Sequence, residues 1–217
     1  MTPDFSKIVD PIILSGLALL ERIERNQHEP ITVEYENIKK QIDRGDQQFG
    51  AMSTDWQLAK YALVAWLDEQ LISFPWEGRE WWTNHILERH YFSGRREAFE
   101  DFFVDANKAA ALSNKDALEV FHTVVLLGYR GLYSKSLDSD KAREHQLPKR
   151  LEEWVRNTSG MLDRRSALEF ESAPQLGDGA SPMDGRLQFI TMCILGLIGL
   201  VAAASYYFLL FDRWRSN

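Results

Sequence analysis

Residues 54–74 read TDWQLAKYALVAWLDEQLISF, and Pro75 follows them. Thr54 and Gln57 stand at the spacing of a capping box, in which each side chain satisfies a backbone N–H of the other, and the proline that follows Phe74 marks the stop. Between these signals apolar residues occupy nearly every face of a helix. An ordinary surface helix keeps a polar side, so this pattern predicts a helix surrounded by others. The segment is expected to be the central helix of its domain.

Toward the N-terminus, Thr32 opens an amphipathic segment carrying Val33, Tyr35, Ile38 and Ile42, which Gly45 is expected to stop. Before it, Asp10 and Pro11 predict a helix start, since a carboxylate caps free N–H groups and proline fits a first turn. Ile12, Ile13, Leu17, Leu20 and Ile23 follow, and that helix should end near Asn26. Toward the C-terminus, Trp81, Trp82, Ile86 and Leu87 predict a further helix. Phe99, Phe102, Phe103, Ala106 and Ala110 make the stripe of the next. Ser113 and Asp116 open another, with Ala117, Val120, Phe121, Val124 and Leu127 on its core face and GYRGLY at 128–133 ending it. A last short helix is expected from Leu147 to Trp154. No alternating run with hairpin-spaced turns occurs, so the domain should be all-α. From Asn157 to Gly185 the composition shifts to serine, glycine, proline and aspartate, as in a flexible tether.

Residues 187–211 contain no charged side chain, and about 20 apolar residues suffice for a helix to span a bilayer. The predicted organisation is therefore a helical domain at 1–158, a linker at 159–185, a single transmembrane anchor at 186–213 and a short tail at 214–217. Arg213 and Arg215 follow the span, which by local charge slightly favours a cytoplasmic tail. The N-terminal segment has an acid before its apolar run and charges just after it, which is not the order of a secretory signal. A large domain without such a signal, ahead of a terminal anchor, places the N-terminal domain in the cytoplasm.

The formal net charge is −7, and residues 186–217 carry three bases and one acid, so the part before them is about −9. That balance repels phosphate backbones and argues against nucleic acid as a partner. The single cysteine, Cys193, lies within the apolar run, which excludes an intramolecular disulfide and a cysteine-based zinc site. The five histidines offer no ligand spacing, and no Walker loop, GxSxG elbow or Cys–His arrangement occurs. No catalytic, cofactor-binding or metal-binding residue is therefore assigned. Asp68 and Glu69 stand out because apolar residues surround them. Adjacent helical residues point about 100° apart, so the two do not converge on one reacting atom. One acid is expected to satisfy backbone donors or an arginine such as Arg79 or Arg130, and the other to face a groove. Trp76, beside the Pro75 break, could anchor a partner or pack in the core. Gly199 and Ala203 form a small-xxx-small pair suited to helix association in lipid.

Tyr61 to Glu69, YALVAWLDE, followed by Pro75-Trp76, resembles the DotU/TssL (IcmH-like) family of secretion proteins. The phenylalanine-rich stretch at 99–110, then Leu118-Glu119-Val120-Phe121, then GYRGLY at 128–133, come in the family's order and spacing, and the terminal anchor fits as well. Trp66 departs from the pattern, which has smaller or aliphatic residues there. The resemblance implies a hook-shaped cytoplasmic bundle of about seven or eight helices, tethered to the bacterial inner membrane as a non-catalytic scaffold of the type VI secretion membrane complex. It implies as partners an IcmF/TssM-like inner-membrane protein, through it a TssJ-like lipoprotein, and a TssK-like baseplate protein; the apolar run adds the lipid bilayer, and Gly199 with Ala203 a second copy of the chain or a partner's span. Asp68, Glu69, Trp76 and Arg130 are the candidate partner-binding residues. The alternatives are a DotU subunit of a type IVB apparatus, a membrane-tethered hydrolase using Asp68 and Glu69, and an unrelated tail-anchored adaptor.

Overall fold

The computed structural model of the protein describes residues 1–50, 52–92, 98–134, 144 and 147–172. Every regular element among them is helical: α1 (Pro3–Glu24), α2 (Ile31–Phe49), α3 (Thr54–Ser73), α4 (Arg79–Asn84), α5 (Leu87–Tyr91), α6 (Ala98–Ala111), α7 (Asp116–Leu126), a 3₁₀ turn (Gly131–Ser134) and α8 (Leu151–Ser172). All but the last residue of α8 fall within one compact unit, Met1–Glu171.

α3 is the axis of this unit. It packs against α1, α2, α4, α5, α6 and α7, and the run from Leu58 to Asp68 is buried without a break. Tyr61, Leu63, Val64 and Trp66 are all essentially inaccessible, which is how a helix with no polar face becomes stable in water. A second layer of rings closes one side: Phe102 stacks on Tyr129 at 3.9 Å, and Phe103 meets Tyr133 and Trp154 edge-on.

Several local signals are overridden by contacts distant in sequence. Pro11, expected to start a helix, lies inside α1, which begins at Pro3 instead. Pro11 is exposed, so the carbonyl it leaves unbonded can be hydrated, and the earlier start is fixed from α7: the Asp116 carboxylate accepts from the Thr2 backbone N–H at 2.8 Å and from its hydroxyl. Gly45 does not stop α2, which continues to Phe49 and ends at Gly50 with φ of 81°. At Gly45 the requirement is closeness: a Cβ there would lie 1.9 Å from the Trp56 ring. The cap of α3 is Ser53, one residue ahead of the expected Thr54, its hydroxyl accepting from the Trp56 N–H. The helix expected over Trp81 to Leu87 is two short ones, parted at His85 and Ile86.

The helix expected to end at Trp154 runs on as α8 to Ser172, so residues 159–172, expected to belong to the linker, are helical. Thr158, the expected boundary, is buried with its hydroxyl on the Trp154 carbonyl. Charged and straight-chain residues such as Leu162, Arg164 and Arg165 favour helix even without an apolar stripe. Among the described residues no helix is long and apolar enough to cross a membrane; the expected anchor, with Gly199 and Ala203, lies outside them.

Candidate functional site

Asp68 and Glu69 sit in the last third of α3 and point to different neighbours, as their helical spacing requires. Asp68 is buried, and its carboxylate accepts three N–H groups: Trp82 Nε1 at 2.8 Å, Leu87 at 3.0 Å and Glu88 at 2.9 Å. Leu87 and Glu88 are the first residues of α5, whose own N-cap, Ile86, offers no side-chain acceptor. Asp68 thus caps a helix to which it does not belong, and fixes the Trp82 indole of α4 with its other contact. Burial pushes its carboxyl up to about 6, against the three N–H groups that hold it down.

Glu69 is half-buried and turns toward the end of α7. Its two oxygens accept the backbone N–H groups of Arg130 at 2.7 Å and Gly131 at 2.8 Å. Gly128 and Gly131 take φ of 111° and 48°, which lets the chain turn back so that these consecutive N–H groups face one carboxylate. Burial raises the Glu69 carboxyl, while the two N–H bonds and the Arg130 charge lower it. The Arg130 guanidinium does not pair with an acid of α3. It donates to the carbonyls of Val125 and Tyr129, where the negative end of α7 favours a cation.

Of the sequence-predicted site residues, Glu69 and Arg130 therefore meet through backbone as well as charge, while Arg79 is exposed and is no partner of Asp68. Both acids, rather than one, serve backbone donors. Trp76 is half-buried, donates from Nε1 to the Leu71 carbonyl at 2.8 Å, and makes a T-shaped contact with His28 at 5.3 Å between ring centres. It closes the C-terminal turn of α3 over Gly78, where a Cβ would strike its ring.

A second polar centre was not singled out from the sequence. Lys60 is buried on α3 and donates to both oxygens of Asp46 at 2.9 and 3.0 Å; Asp46 also accepts from Trp56 Nε1, and the Lys60 ammonium lies 4.9 Å from the Tyr91 ring. Tyr91 in turn donates to Asp43 at 2.8 Å. A lysine in the middle of an all-apolar helix was the available signal, since a buried ammonium requires an acid nearby. Trp66 Nε1 is buried with no hydrogen-bond partner among the described residues.

The chain matches the family model described as type VI secretion system protein DotU over residues 11–211. It is also similar to the crystal structure of T6SS SciP/TssL from enteroaggregative Escherichia coli 042, with 19% identity, a TM-score of 0.47, and coverage of 65% of this chain and 89% of that one. No curated protein matches it.

Proposed function

This chain belongs to the family of type VI secretion system protein DotU, and on that premise we propose that it is a non-catalytic scaffold of the secretion machine's membrane complex. In this reading residues 187–211 anchor it once in the inner membrane, and the helical unit stands in the cytoplasm between an IcmF/TssM-like protein and a TssK-like baseplate protein. One observation carries the proposal: the family match runs through to residue 211, so the helical unit and the apolar stretch belong to one family pattern. The geometry around α3 supports it. Asp68 and Glu69 diverge and are engaged by backbone N–H groups, as braces are, and a hydrolase using them as a pair gains no support. Glu69, Arg130 and Trp76, each solvent-accessible at the end of α3 or α7, are the residues proposed to meet partners; Asp68 acts behind them by holding α4 and α5.

Removal of everything after Gly185 tests the anchor. The truncated chain should leave the carbonate-washed membrane pellet, keep a helical circular-dichroism spectrum and abolish secretion, because assembly then lacks the local concentration that the membrane provides. Glu69→Lys and Arg130→Glu should weaken co-purification with the baseplate partner. Secretion undiminished by the truncation, with the truncated chain soluble, would refute the scaffold role at the membrane.

A further inference from the structure

The groove between α1 and α2 carries a charge arrangement that the packing of the two helices does not require. It encloses about 310 Å³ and is lined from α1 by Ser15, Ala18 and Arg22, and from α2 by Glu34, Asn37, Lys40, Gln41 and Arg44 among others. On α2 the residues 37, 40, 41 and 44 recur at helical spacing, so they form one strip facing one way. Every acid of α2 already has a partner, Glu34 within the groove itself. Glu34 is buried and takes Arg22 through both oxygens, at 3.2 and 2.6 Å; Glu36 takes Lys39; Asp43 takes Tyr91; Asp46 takes Lys60 and Trp56. Lys40 and Arg44 are exposed, and neither forms an ion pair or side-chain hydrogen bond among the described residues. Two like charges one turn apart repel, and among the described residues no carboxylate forms an ion pair with either.

We propose that this groove is a receptor for a carboxylate side chain presented by an acidic peptide segment of a partner protein. The donors converge with the right chemistry. Lys40 supplies an ammonium, Arg44 a guanidinium fork that matches a carboxylate with two parallel N–H bonds, and Asn37 an amide that makes no side-chain hydrogen bond within the described structure. Gln41 and Ser15 bond to each other at 2.7 Å across the groove and hold its floor. Arg22 gives Nε and Nη2 to Glu34, and Nη1 makes no bond to the described residues. A protein carboxylate fits better than an anionic bilayer: the site is concave and amide-lined, whereas the part of the chain before residue 186 is acidic, about −9, and is repelled by a flat anionic surface. The same acidity suppresses nonspecific capture of an acidic peptide, so binding reports the groove. The site stands on α1 and α2 alone and does not depend on the secretion assignment.

Fluorescence anisotropy of a fluorescein-labelled octaglutamate, titrated with the full chain in a nonionic detergent, tests the site. Saturable 1:1 binding is expected, weakened about tenfold or more by Lys40→Glu or by Arg44→Glu. Ala18→Phe, which changes no charge, should abolish it by filling the groove, and Lys7→Glu on the exposed face of α1 should leave it within about twofold. Circular dichroism checks that each variant is folded, and the exposure of Lys40 and Arg44 makes unfolding of those two unexpected. Absence of saturable binding, or equal loss in Lys7→Glu, overturns the proposal. So does a result in which Lys40 and Arg44 control co-sedimentation with phosphatidylglycerol vesicles while octaglutamate is ignored, which would make the groove a lipid-headgroup site.

Discussion

Truncation of Asp68 should damage the fold far more than truncation of its neighbour, although the two acids look alike in sequence. Asp68→Ala leaves Trp82 Nε1 and the Leu87 and Glu88 N–H groups without their acceptor in a buried site. Each buried donor left unmade costs about 1–3 kcal/mol. Allowing for partial entry of water, the three together cost roughly 3–6 kcal/mol, against total stabilities of about 5–15 kcal/mol for a domain. For a chain of this size that lowers the melting temperature by roughly 10–20 °C. Glu69→Ala frees only two N–H groups, on Arg130 and Gly131, at a half-buried turn that water reaches, and should cost about 1–2 kcal/mol. Thermal melts of the wild type and both variants, followed by circular dichroism at 222 nm, make the comparison. A melt of Asp68→Ala within about 2 °C of wild type, or a larger loss for Glu69→Ala, would refute the assignment of Asp68 as the brace for α4 and α5.

The Asp68 carboxyl also gives a signed pH effect. Its folded value of about 6 exceeds its ordinary 3.8, so the folded state binds a proton more tightly than the unfolded one between these limits, and stability declines as pH rises from about 4 to 6, by roughly 3 kcal/mol. Urea titrations at both pH values should show this decline in wild type relative to Asp68→Asn; equal slopes for the two would disprove it. Gly45→Val should destabilise by several kcal/mol, about 3 or more, because its side chain meets the Trp56 ring rather than open space, whereas Gly160→Ala, with nothing within 4 Å of the added carbon, should not destabilise; differential scanning calorimetry would detect the contrast. In the membrane, Gly199→Ile with Ala203→Ile should weaken association with a partner span or a second copy, and unchanged signals in a membrane two-hybrid assay for both would mark that face as lipid-exposed.

The sequence by itself determined the composition-driven features. An all-round apolar helix has to be central, so α3 and its stop at Pro75 were legible, as were the stripes of α6 and α7 and the glycine-rich turn that follows α7. The divergence of Asp68 and Glu69 was legible too, because helical geometry alone sets the angle between adjacent side chains. What those acids hold was not: the donors lie 14 to 62 residues away, and no local pattern announces that a carboxylate on one helix will cap the start of another. Gly45 shows the same limit. Read locally it is a helix stop; in the fold it is the gap that admits Trp56, whose indole then binds Asp46 beside Lys60. Pro11 was misplaced for the complementary reason, since its local preference for a first turn is worth less than the tertiary contacts that start α1 at Pro3. Tertiary structure decided these points because desolvated charges and N–H groups must find partners wherever the chain brings them, and the helix-end signals in the sequence act only over a single turn.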